Sequence, residues 1–169
     1  MLSEILIASA ASASVALVMG TFFRWLHHRS VSPLDFPNKE LAGDVEQIRV
    51  VQIDCPPDKA LLAARSAIQS IPKVKNVNTA GRTINAKTGI TFRTFGESIV
   101  ITAVPDAAAQ SQLTIQSIPR FPGTTVDYGK NYEIVERIVA HLHTGQSVTL
   151  LSANNSFKPT PLRGVGKVP

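Results

Sequence analysis

Nineteen consecutive residues without a charge, ILIASAASASVALVMGTFF, run from Ile5 to Phe23 between Glu4 and Arg24. Nothing else in the chain narrows its possible folds as much. As a helix rising ~1.5 Å per residue this stretch reaches about 28 Å, close to the ~30 Å hydrocarbon core of a bilayer. Ser9, Ser12, Ser14 and Thr21 are its only hydroxyl-bearing residues, and such hydroxyls can return to the preceding turn. Trp25 stands where an interfacial aromatic belongs. A cleaved signal peptide requires a positive leader, whereas Met-Leu-Ser-Glu precedes this stretch. Positive charge follows it instead, at Arg24 and Arg29, so the downstream part is expected on the cytoplasmic side. The sequence therefore predicts a single-pass membrane protein with a cytoplasmic C-terminal domain. His27 and His28 point about 100° apart on a helix, which suits a polar collar better than a chelate.

The formal charge of +5 invites a nucleic-acid reading until it is divided along the chain. Residues 1–30 carry +1, residues 31–150 carry +1, and residues 151–169 carry +3. A nucleic-acid binder concentrates Lys and Arg on its folded domain, so no nucleic-acid partner is expected. Cys55 is the single cysteine, which excludes an intrachain disulfide and a cysteine-based metal cluster.

The chain divides into an anchor with its polar collar (1–29), a linker (30–44), a folded domain (45–145) and a disordered tail (146–169). Pro33, Pro37 and Gly43 break the linker. Ile48, Val50 and Ile53 mark a strand over 47–54, and Leu61, Ala64, Ile68 and Ile71 mark a helix over 58–71 that Pro72 ends. Strands over 75–80 and 83–88 flank Gly81-Arg82, a tight-hairpin signal. Two alternating runs, 97–104 and 112–118, follow. Thr124–Leu142 closes the domain with a polar turn and a helix whose apolar face is Ile134, Val135, Ile138, Val139 and Leu142. The resulting expectation is an α+β fold in the order β-α-β-β-β-β-α, an antiparallel sheet with two helices on one face, preceded by a single transmembrane helix. The other sheet face then needs a cover: a protein partner, a small apolar ligand, the membrane or a second copy of the chain.

Asp127-Tyr128-Gly129-Lys130-Asn131 is the densest polar cluster beside a helix start. Asp127, Lys130 and Asn131 could bind an anion on the free N–H groups there, with Arg93 and Arg120 as a rim. The competing structural reading makes Asp127 or Asn131 a cap, Gly129 a special backbone angle and Tyr128 a core-edge filler. Cys55 with His141 or His143 offers no spacing that brings thiol and imidazole together, so no catalytic residue is assigned. His141-x-His143 has no third ligand, and no Gly-rich run precedes a Lys-Ser or Lys-Thr pair, so neither metal nor cofactor is expected. Glu133 and Glu136 fall outside the apolar stripe and are expected to face water. Phe92, Phe95 and Phe121 read as sheet packing.

The Phe23-Arg24-Trp25 end of the apolar segment with His27-His28-Arg29, the central Thr94-Phe95-Gly96-Glu97, and the closing Asp127–Asn131 turn resemble small bacterial membrane-anchored proteins of the domain-of-unknown-function type. The resemblance covers about residues 1–143 and implies no catalytic residue. Asn155–Gly164 (NSFKPTPLRG) resembles an ending shared by many unrelated gammaproteobacterial proteins, as at a mobile-cassette boundary.

The leading expectation is a non-catalytic, membrane-anchored binding module. One alternative is an enzyme or anion-binding protein acting on a phosphorylated or lipid-derived substrate through the polar turn. Another is a defence or immunity protein carried on a cassette.

Overall fold

A computed structural model describes residues 2–37, 39–91, 93–106 and 109–153, with side chains described from residue 14 onward. Helix α1 spans Leu2–Val31. Among the described residues no helix is long and apolar enough to cross a membrane. The side chains of residues 5–13, about half of the expected span, lie outside the described residues. Within the described half, Thr21 Oγ1 donates to the carbonyls of Leu17 (3.0 Å) and Val18 (2.9 Å), so this hydroxyl is satisfied within the helix. Ser32 closes α1 by donating to the His28 carbonyl at 2.7 Å.

The remaining elements are β1 (Gln47–Ile53), α2 (Pro57–Gln69), β2 (Val74–Ala80), β3 (Thr83–Thr88), β4 (Glu97–Pro105), β5 (Ser111–Pro119), α3 (Lys130–His143) and β6 (Val148–Ala153), with a 3₁₀ turn at Lys39–Gly43 before β1. The fold is α+β, built on a six-stranded antiparallel sheet in the order β2-β3-β4-β5-β1-β6. The sixth strand corrects the expected order, which ended at the second body helix and gave residues 146–169 to a disordered tail. Without β6, β1 would be an edge strand with unpaired backbone groups. Val148–Ala153 pairs along it, and Asp54 N–H donates to the Ser147 carbonyl at 3.2 Å. The expected disordered tail from residue 154 onward lies outside the described residues, as does Phe92.

Both body helices cover one sheet face. Pro57 opens α2, where a missing N–H costs nothing. Ala60, Leu61, Ala64, Ala67 and Ile68 form its buried stripe. Ile134, Val135, Ile138 and Leu142 do the same for α3. These residues interlock with Val51, Ile53, Ile84, Ala86, Ile99, Ile101, Ala103, Leu113 and Ile115 in one apolar core. The period-2 pattern of β4 and β5 sends alternate residues inward.

The opposite face shows why it needs little cover. Cross-strand pairing sets Thr83, Thr102, Thr114 and Val50 in one row, and Asn85, Val100, Gln116 and Ile48 in the next. Hydroxyl and amide groups dominate, and Thr83 and Thr102 share a hydrogen bond across the strands at 3.3 Å. Such a face tolerates water.

Candidate functional site

The apolar core stops short of one end of the sheet, where its helix-facing positions become polar. Gln47, Arg49, Thr88, Glu97 and Ser117 are all buried there, beneath the first turns of α3. Gly129 and Tyr128 adopt left-handed backbone angles (φ 70° and 52°), which bend the chain into α3. The bend turns Asp127 back under the helix. Its Oδ1 accepts the Gly129 N–H (3.0 Å), and its Oδ2 accepts the Asn131 backbone N–H (2.7 Å) and side-chain amide (2.8 Å). Asn131 Oδ1 in turn accepts the Ser117 hydroxyl at 2.6 Å. Burial pushes the Asp127 carboxyl above its ordinary range, the hydrogen bonds oppose that shift, and nearby Glu97 adds to it.

Glu133 collects three cations. Arg93 Nη1 (3.1 Å) and Lys130 Nζ (3.3 Å) approach its Oε2, and Arg137 Nε (3.0 Å) donates to its Oε1. Burial alone would raise the Glu133 carboxyl, but the charges of Lys130 and Arg93 and the hydrogen bonds of Lys130 and Arg137 hold it below its usual value. Arg93 also donates through Nη2 to the Tyr128 carbonyl, bracing the left-handed turn. Its Nε is buried and has no hydrogen-bond partner among the described residues.

A second buried charge pair joins β1 to α3. Arg49 Nε and Nη2 lie 2.8 and 2.7 Å from Glu136 Oε1, with both side chains almost fully enclosed. Burial raises the Glu136 carboxyl, and the Arg49 charge and hydrogen bond counter it. Glu133 and Glu136 therefore correct the expectation of a solvated helix face. Material on both flanks of α3 accounts for it. Arg93 reaches across Glu133 on one side. On the other, Val31, Ala42 and Tyr132 pack together with Leu34 and Phe36. Tyr132 donates to the carbonyls of Phe36 (3.2 Å) and Pro37 (2.6 Å), so the linker is strapped to the body. Burial, aided by Glu136, pushes the Tyr132 phenol up to about 12.

Glu97 completes the layer. Its carboxylate accepts the hydroxyls of Thr88 and Thr94, and its N–H donates to Thr88 Oγ1 at 2.8 Å. Gly96 holds a φ of +95°, and a Cβ there would meet the Thr88 carbonyl oxygen at 2.8 Å. This accounts for the Thr94-Phe95-Gly96-Glu97 sequence: two residues hold the buried acid in place, and between them Phe95 is turned outward, 66 % exposed.

Outside this layer lies a cleft of ≈ 580 Å³. Phe23 of α1 forms one wall, and Phe95 and Phe121 belong to the other, their ring centroids 5.6 Å apart. Arg93, Thr94, Gly96, Pro119, Val126 and Tyr128 also line it. Tyr128 thus lines the cleft, and the enclosed tyrosine of this region is Tyr132.

Of the five residues singled out in the sequence, four share one neighbourhood: Asp127 with Asn131, and Lys130 with Arg93 through Glu133. The Asp127 carboxylate already occupies the N–H group that an anion would use. Arg120 stands apart, exposed, with its side chain beside Gly96. Cys55 is buried, and burial pushes its thiol up. His141 meets Ser66 Oγ at 3.3 Å. Among the described residues no group of three His, Cys, Asp or Glu side chains could hold a metal ion.

Sequence reasoning gave no role to Arg49, Tyr132 or Glu97, and it set Glu136 in water. Arg49 carried a signal, since it shares strand parity with Val51 and Ile53 and so points toward the core. Compared with known proteins, the chain matches no family model and no curated protein.

Proposed function

We propose that the chain is a non-catalytic binding module, tethered to the bacterial inner membrane by residues 5–23, with its body on the cytoplasmic side. It takes an apolar partner in the cleft between α1 and the Phe95–Phe121 edge. One observation carries this reading: three exposed or half-exposed aromatic rings, Phe23, Phe95 and Phe121, gather around a single ≈ 580 Å³ cleft. That volume falls within the roughly 300–1,000 Å³ common for small-molecule sites. The hydroxyl- and amide-rich outer face of the sheet is less suited to an apolar occupant. Beside the cleft, the polar layer spends its hydrogen-bonding groups on holding α3 in place, as a supporting frame does.

The test uses the full chain in isolated membranes and a fatty acid bearing a photoactivatable diazirine. Labelled peptides should concentrate at residues 91–96 and 119–128, and the chain should resist alkaline extraction. Uniform labelling, with as much at exposed Leu62 on α2 as at Phe95, defeats the cleft reading. Release by alkali defeats the tether.

Arg93 favours a second reading, a phosphorylated or lipid-derived substrate with an anionic end. It lines the cleft and keeps one buried donor, Nε, without a partner among the described residues. Arg93→Lys should then weaken retention of an anionic ligand while leaving a neutral one unaffected.

A further inference from the structure

We propose that the Phe95–Phe121 edge docks into the headgroup layer of an anionic bilayer, so that the body lies down on the membrane that holds α1. This deepens the preceding reading and rests on its tether.

The argument starts from Phe23. It is the last residue of the uncharged stretch, and Arg24 follows it. If that stretch spans the hydrocarbon core, Phe23 stands where acyl chains give way to headgroups, with Trp25 just beyond. Phe23 is also a wall of the cleft. Whatever forms the other wall therefore lies at the same depth, and that wall carries Phe95 and Phe121. Ring contacts link the aromatic side chains within each wall, and the cleft lies between the walls. The rings of Phe22 and Phe23 are 5.8 Å apart, those of Phe22 and Trp25 6.1 Å, and the cleft joins Phe23 to the Phe95–Phe121 pair.

Exposure fits the same occupant. Phe95 and Phe121 are 66 % and 58 % exposed, and Trp25 is 53 % exposed. A soluble surface seldom leaves so many large rings together in water. Trp is at home in the headgroup layer, and Phe rings beside basic residues bury at the boundary between headgroups and acyl chains.

Charge selects the lipid. Arg120 stands beside the Phe95 edge, next to Gly96, and Arg24 lines an adjoining cleft with Phe23 and Val126. Neither forms an ion pair with a described acidic residue. Arg29 lies over the Trp25 ring, 5.2 Å from its centroid. Cations flanking an aromatic band match anionic headgroups. A soluble protein partner would explain the rings, but not why they continue onto α1 at the end of its uncharged stretch.

The experiment reconstitutes the full chain in vesicles of phosphatidylcholine with phosphatidylglycerol, carrying acyl chains brominated close to the headgroup. Trp25 of the native chain reports on the tether. A Trp25→Phe/Phe95→Trp double variant moves the single indole to the edge of the body, at a side chain exposed enough to leave the core untouched. The expected result is loss of emission for both proteins, with a blue-shifted spectrum for the double variant. A quenched native chain with an unquenched, water-like double variant overturns the docking and leaves the tether standing. A blue-shifted but unquenched double variant overturns it too, because a lipid-free partner or second copy then covers the edge. An unquenched native chain overturns the tether and the docking together. Arg120→Glu in the double variant should reduce the quenching, and unchanged quenching overturns the part assigned to that cation.

Discussion

Arg49 and Glu136 bring opposite charges into a space where each is about as enclosed as a core leucine. Removing one partner strands the other, at a cost of about 3–5 kcal/mol. Arg49→Met alone should therefore lower the denaturation midpoint sharply, and Arg49→Met with Glu136→Leu should recover most of the loss. Failure of the second change to recover stability means that the pair orders the fold in some other way. Gly96 is just as constrained. Gly96→Ala places a methyl 2.8 Å from the Thr88 carbonyl at a φ of +95°, a strain of about 1–3 kcal/mol read as a fall in melting temperature. The carboxylates also set the response to pH. Glu133 is held below its usual range, so it adds stability above that range and loses it as pH falls through its folded value. Asp127 and Glu136 are raised, so their contributions have the opposite sign: complete at low pH and lost as pH rises through their folded values. Glu133→Gln should lose less stability than the native chain between about pH 6 and about pH 3. Equal acid limbs in denaturant titrations would refute that assignment.

At the scale of elements, α3 begins by an unusual arrangement. The residue at its N-cap is Gly129, which has no side chain to offer, and Asp127 caps it from two positions further back. Asp127→Ala should cost about 1–2 kcal/mol, measured by chemical denaturation in detergent. The strands and helices from Gln47 to His143 were readable because each shows its own period and ends at Gly, Pro or a polar turn. β6 was not. Val148–Ala153 is six residues long, has no buried residue, and adjoins a segment rich in Pro and Gly, so its local pattern is weak. Its partner is β1, about a hundred residues earlier, and such pairing leaves no local trace. Chains ending at residue 155 and at residue 146 differ only by this strand and its flanks. The shorter should melt lower, because β1 then loses a neighbour on one side. The polar turn was likewise legible as a cap and a bend. Arg93 was expected beside it as a rim, whereas Ser117 and Glu97 come from strands that only the fold brings to it.

For the molecule as a whole, the linker matters more than its proline-rich composition suggested. Tyr132 fastens it through two carbonyls, and Val31 at the end of α1 packs in the same cluster. Tyr132→Phe removes those bonds and should cost about 1 kcal/mol, with faster proteolysis between residues 32 and 43. Unchanged cleavage there means that apolar packing alone secures the linker. One contact at this junction carries further. A Cβ on Gly129 would lie 2.6 Å from Val31 Cγ2, so the last residue of α1 is seated against the backbone at the start of α3. α1 consequently works as a shaft keyed into the body rather than as a cord. Turning or tilting it would press on the left-handed bend, whose Tyr128 lines the aromatic cleft and is braced there by Arg93.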